Sequence, residues 1–199
     1  MIYARVDAGR VLDALRGVDG AWLALAFACF VPQIAVTALR WRWLVGAAAP
    51  LTRWEACRHV LASSTLSVIT PSKLGDLAKA WFVARGGGVP LGRAVGFAVA
   101  EKALDLWSLS AILLAAGLVR GVPADPLVVP AVGLAAGVFA AVVVGLVAPV
   151  PAALARRLPR RAGALLVAWD EARRLALAGR ARRAGIVAVS LGLWLLHVA

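Results

Sequence analysis

From Leu127 to Val147 the chain runs without a charged residue, and from Trp22 to Leu39 it does so again. Runs of this length and composition match the roughly 20 apolar residues needed to cross a bilayer as a helix. They exclude most soluble architectures, because an amphipathic surface helix shows an apolar stripe rather than an apolar circumference. The whole chain is 62% hydrophobic and 16% charged, with mean hydropathy +0.86. A soluble domain sits near about 45–50% apolar and about 25% charged. The sequence therefore predicts an all-α integral membrane protein with about four to five transmembrane helices.

The net charge of +12 does not point to nucleic acid. Residues 149–184 hold nine Arg against Asp170 and Glu171, a local balance of +7. Positive charge gathered between apolar segments marks a cytoplasmic loop and attracts anionic lipid heads. No zinc spacing, helix-turn-helix pattern or aromatic-basic interleaving supports DNA or RNA binding. Cys29 and Cys57 have no metal-ligand spacing and read as small packing residues. The chain is expected in a cell membrane as a multi-pass protein, with no nucleic-acid partner, cofactor or metal.

Residues 1–20 balance Arg5, Arg10 and Arg16 against Asp7, Asp13 and Asp19, with an apolar stripe through Val6, Val11, Leu12, Leu15 and Val18. This reads as an N-terminal interfacial segment, followed by a polytopic membrane domain over 21–199. The first span is expected from Trp22 to Leu39, closed by Arg40-Trp41-Arg42-Trp43 as an interfacial anchor, with inward rotation of Arg40 as the alternative. Further spans are expected over about Ala94–Val119 and Leu127–Val147. Within the Arg-rich loop, Leu165, Leu166, Trp169 and Ala172 share a face, as in an interfacial helix. The last apolar stretch, Gly185–Ala199, is short for a span, which suggests that the membrane domain is incomplete at its C-terminus.

The segment around 54–85 is different. Residues 57–70 are apolar but interrupted by His59, Ser63, Ser64, Thr65 and Ser67. Thr70-Pro71 can start a new helix, with Thr70 as N-cap and Pro71 in its first turn, running to about Arg85. Gly86-Gly87-Gly88 and Pro90 end it. A broken pattern of this kind suggests a re-entrant or discontinuous hairpin, tolerated at membrane depth where it is buried in protein or lines a cavity. The N-terminus lies inside if 54–70 crosses the membrane and outside if it only dips in. We favour the inside placement.

Two constellations can carry chemistry. Glu101-Lys102-x-x-Asp105 falls inside a span, where unpaired charge costs roughly 2.5–3.5 kcal/mol even on lenient scales. Glu101 and Asp105 are one turn apart, and both are expected to face the protein interior near Lys73 and Lys79. The bland alternative is a set of side chains near the interface that reach outward. The second constellation is Lys73, Gly75, Asp76 and Lys79 at a helix start, where free N–H groups and partial positive charge suit a phosphate. An ordinary capped surface helix is its alternative. The chain writes 19 of its cations as Arg and three as Lys, and Lys73, Lys79 and Lys102 all fall in these two segments. No Ser-His-Asp, HExxH, P-loop or dinucleotide fingerprint is present, so no catalytic residue is assigned.

The order of these motifs resembles the flippase-like membrane domain of the lysylphosphatidylglycerol synthases. It is carried by "ALRWRWLV", "LASSTLSVITPSKLGDLAKAWFVAR" and "AVAEKALDLWSL". The matching positions are Arg40 and Trp41, then Pro71, Gly75, Asp76 and Lys79, then Glu101, Lys102 and Asp105. Where the family usually shows Arg, this chain has Lys79 and Lys102. Nothing resembles the soluble aminoacyl-transferase domain. The resemblance implies a lipid translocase in a bacterial plasma membrane, handling a lipid with an anionic or polyprenyl-phosphate-linked head. Lys73, Gly75, Asp76, Lys79 and Arg40 would hold the head group. The alternative is a membrane enzyme or accessory subunit in lipid-linked glycosyl or aminoacyl transfer.

Overall fold

Helix α1 begins where the Asp19 carboxylate accepts a hydrogen bond from the Ala21 N–H at 2.8 Å, and it runs over Gly20–Val45. The computed structural model describes residues 16–70, 75–121 and 126–198, together with Gly9 and Asp13. Most of the expected N-terminal interfacial segment lies outside the described residues. At 26 residues α1 is about 39 Å long, more than the ~30 Å hydrocarbon layer requires. It does not close at Leu39: Arg40 to Val45 continue the helix, and Arg40, Trp41, Leu44 and Val45 are buried. The interfacial-anchor reading of Arg40 and Trp41 is therefore overturned. Both side chains turn into the protein.

Helix α2, Arg53–Ile69, starts with a reciprocal cap. The Thr52 hydroxyl accepts from the Glu55 N–H at 3.2 Å, and the Glu55 carboxylate accepts from the Thr52 N–H at 2.8 Å. Thr70 closes α2 with extended backbone, so it is a C-cap and not the N-cap of a new helix. Pro71 and Lys73 lie outside the described residues. The Thr70 hydroxyl accepts from the Gly75 N–H at 3.1 Å, which folds the chain back on itself. A side chain on Gly75 would collide with the backbone of Ser67, so only glycine fits this return. One 3₁₀ turn at 75–77 leads into α3, Ala78–Gly87, and Gly88 at φ 64° ends it in the left-handed region.

The hairpin is re-entrant. His59 of α2 stacks on Phe82 of α3 with ring centroids 5.4 Å apart, and Ser63 meets Asp76. A Cβ on Gly87 would lie 2.8 Å from that of Ala49, so the end of α3 returns beside the loop that precedes α2. The segment enters and leaves on one face.

Helix α4, Leu91–Arg120, is the central element, packed against α1, α3, α5, α7 and α8. Helix α5 spans Val128–Val147, α6 Ala152–Arg157, α7 Arg160–Ala176 and α8 Arg180–Val198. There is no strand among the described residues. Helices α1, α4 and α5 are long and apolar enough to cross a membrane. Helix α8, 19 residues that open with Arg180, Arg182 and Arg183, packs along α1 and α4 and is the fourth long helix at this depth. Gln33 meets His197 at 2.8 Å and Gly185 lies against Trp43, so α8 runs antiparallel to α1.

The Arg-rich segment is folded against the bundle. Helix α7 packs along the start of α4, where a Cβ on Gly96 would come within 2.7 Å of that of Ala172 and one on Gly92 within 3.4 Å of that of Ala168. Small residues spaced four apart let two helices approach this closely. Of the expected apolar stripe, Ala172 is buried and Trp169 packs against the core, while Leu165 is exposed. Ala176 is buried as well, and Gly163 is buried against Ala155 of α6. The Arg173 guanidinium donates to the carbonyls of Leu146 at 2.9 Å and Val147 at 3.2 Å, satisfying the open end of α5. The ends of α1, α3 and α5, the starts of α2, α4 and α8, and helix α7 thus share one face. Gly20, at the start of α1, lies on the opposite face because 54–70 dips in and returns, and the N-terminus, expected on the side of the Arg-rich segment, lies outside the described residues.

Candidate functional site

A third to a half of the way along α4, three acids and three cations from four parts of the chain meet. Helix α4 supplies Glu101, Lys102 and Asp105, and α1 supplies Arg40. Helix α3 supplies Lys79, and the turn before it supplies Asp76. The carboxylates of Glu101 and Asp105 are one helical turn apart, a spacing that a planar guanidinium can bridge. Arg40 does so, with Nη2 3.0 Å from Glu101 Oε1 and Nη1 2.6 Å from Asp105 Oδ1. Lys79 Nζ lies 2.5 Å from Glu101 Oε2 and 5.2 Å from the centre of the buried Trp41 ring. The re-entrant hairpin is therefore tied to α1 and α4 through one carboxylate.

Lys102 sits on the outer side of the group. Its Nζ is 2.5 Å from Asp76 Oδ2 and 3.5 Å from Asp105 Oδ2. The Ser63 hydroxyl donates to the other oxygen of Asp76 at 3.2 Å. From α8, the Trp194 indole N–H donates to Asp105 at 3.2 Å, and Ser190 lies 3.4 Å from Arg40. Exposure rises across the network, from 1% for the Glu101 side chain to 51% for that of Lys102. Arg40 Nε and Trp41 Nε1 are buried N–H donors with no hydrogen-bond partner among the described residues.

Three positive and three negative groups cancel. This balance is how charge survives at membrane depth, where a lone ion is costly and a matched set is tolerated. Arg40, Asp76, Lys79, Glu101, Lys102 and Asp105, all singled out by the sequence, are brought together. Gly75 serves the turn and packs on Ser67. Lys73 lies outside the described residues. Among the described residues Asp105 pairs with Arg40 and Lys102, and Lys79 pairs with Glu101. Ser63, Ser190, Trp41 and Trp194 also belong to the site. Trp41 stood in a motif read as interfacial, and nothing in the local sequence of the other three connects them to it.

The family described as lysylphosphatidylglycerol synthase TM region matches residues 1–199, the whole of the chain. No curated protein and no solved structure matches it.

Proposed function

Because the chain belongs to the lysylphosphatidylglycerol synthase transmembrane-region family, we propose that it is a membrane-embedded lipid translocase. Its substrate would be a lipid with an anionic or polyprenyl-phosphate-linked head, and its place a bacterial plasma membrane. The observation that carries this reading is the neutral ion network clasped between a re-entrant hairpin and α4. An ionisable group that faces a protein interior at membrane depth is by default a candidate for a substrate or ion pathway.

Every cation in the network already has a carboxylate partner. A head-group phosphate enters by exchange: it takes the place of a carboxylate at a cation, and net charge at depth changes only by what the lipid brings. Lys102 is the most exposed member, so exchange begins at its pair with Asp76. Asp76 sits in the turn that leads into α3, so its release loosens that turn while Lys79 still ties α3 to Glu101. The unpartnered donors of Arg40 and Trp41 offer further hydrogen bonds to phosphate oxygens deeper in.

The test is a flipping assay with the full chain in liposomes carrying head-group-labelled lipids in one leaflet. Anionic-head lipid should equilibrate between leaflets faster than the protein-free rate, and zwitterionic lipid should not. Equal rates for both lipids would remove the head-group reading.

A further inference from the structure

A second basic feature lies outside the ion network. Where α5 ends and α7 meets the start of α8, Arg173, Arg174 and Arg183 line a notch of about 310 Å³ with Leu146, Val147 and Leu177. Helix α5, at 20 residues, is about 30 Å long and matches the hydrocarbon layer. Leu146 and Val147 therefore sit at the edge of that layer, where lipid phosphates lie.

The notch carries surplus positive charge. Asp170 is its nearby acid, and Asp170 is saturated: it accepts from Arg173 at 2.5 Å and the Val150 N–H at 3.3 Å, and pairs with Arg174 at 2.5 Å. Arg183 pairs with no acid among the described residues. Arg173 is only 6% exposed, and its Nε has no partner among the described residues although its terminal nitrogens are held. Three guanidinium groups against one carboxylate leave the site two charges short of neutrality. Planar guanidinium groups suit phosphate oxygens, and the apolar lip suits the top of an acyl chain.

We propose that this notch is a peripheral site for the phosphodiester of an anionic glycerophospholipid drawn from the surrounding leaflet. Basic recesses between membrane helices at the headgroup level bind lipid in this way. The bound lipid clamps α7 and α8 to the end of α5, and it shares no residue with the ion network.

The test uses the full chain in a neutral detergent, titrated separately with phosphatidylglycerol, phosphatidylcholine and inorganic phosphate, with thermal unfolding as the readout. Phosphatidylglycerol should raise Tm in a saturable way, and phosphatidylcholine should not. Arg183→Gln, which removes no ion pair or side-chain hydrogen bond among the described residues, should weaken the apparent affinity about tenfold, the loss of roughly one charge-assisted hydrogen bond. Arg156→Gln with Arg157→Gln, two exposed Arg outside the notch, should leave that affinity unchanged. An equal shift with phosphatidylcholine, an equal shift with inorganic phosphate, or an Arg183→Gln protein that binds as the parent does would each overturn the proposal.

Discussion

Lys79 Nζ lies 2.5 Å from Glu101 Oε2, and the two side chains are 4% and 1% exposed. This pair joins the returning arm of a re-entrant hairpin to the central helix. Breaking it from one side leaves a buried charge without a counterion, at about 3–5 kcal/mol. Lys79→Met and Glu101→Gln should each lower thermal stability markedly in detergent. The double variant removes both charges and leaves Arg40 with Asp105, so it should be less harmful than the sum of the two. Strict additivity would show that the pair is not coupled.

The Lys102–Asp76 pair is at the opposite end of the exposure range. A half-exposed ion pair contributes little to stability, about 0–1 kcal/mol. Lys102→Ala should therefore unfold within a few degrees of the parent while losing head-group-dependent lipid flipping. A variant that keeps full flipping activity would place the entry point elsewhere.

The acids and lysines of this network were legible in the sequence because charge inside an apolar run demands a partner. The hairpin was legible from the hydroxyls that interrupt 57–70 and from Gly86–Gly88. Arg40 was legible only as an alternative: Arg-Trp-Arg-Trp is what both an interface and an inward-facing helix would use, and only the distance to Glu101 and Asp105 decides. Ser190 and Trp194 join from α8, far along the chain, with no local signal. The start of α2 was readable as Thr52-x-x-Glu55, a spacing that a search for apolar runs passes over. The docking of α7 rests on absent side chains at Gly92 and Gly96, which such a search also misses.

Those glycines give a paired test. Gly96→Ala puts a methyl group against Ala172 in a helix contact with no slack, and overpacking of this kind costs about 1–3 kcal/mol. At Gly137 in α5 a Cβ meets nothing within 4 Å. There the helix gains about 1 kcal/mol in intrinsic propensity. Gly96→Ala should lower Tm and Gly137→Ala should hold or raise it. Matching effects at both positions would contradict the close approach of α4 and α7.

Asp170 sets an acid limit for the same contact. The hydrogen bond from Arg173 comes first in holding its carboxyl below the usual carboxylate range, followed by the Val150 N–H and the charges of Arg173 and Arg174, against an opposing effect of burial. A lowered folded-state pKa means that the stabilisation is fully present above the unfolded value, about 3.9. It is lost as pH falls through the lower folded value. Hydrogen exchange across 160–176 should accelerate in acid below about pH 4 in the parent. Asp170→Asn should exchange faster already at neutral pH and lose that acid step. A variant with the parent's profile would show that another group sets it.

The membrane topology follows from contacts rather than from counting apolar runs. Ala47, Gly86, Arg160 and Arg180 lie on one face, because α2 and α3 return to the side they left and α7 packs on the start of α4. Gly20 and Arg120 lie on the other. From the +7 balance of 149–184 we propose that the first face is the cytoplasmic one. In a background with Cys29 and Cys57 replaced, single cysteines at 47, 86, 160 and 180 should resist an impermeant thiol reagent in intact cells, and those at 20 and 120 should react. Labelling at 47 with protection at 86 would mean that the hairpin crosses the membrane. That result would separate Ala49 from Gly87 and remove the geometry that brings Lys79 to Glu101. If instead the two sets simply exchange their labelling, the fold stands and only the orientation drawn from the Arg-rich segment fails.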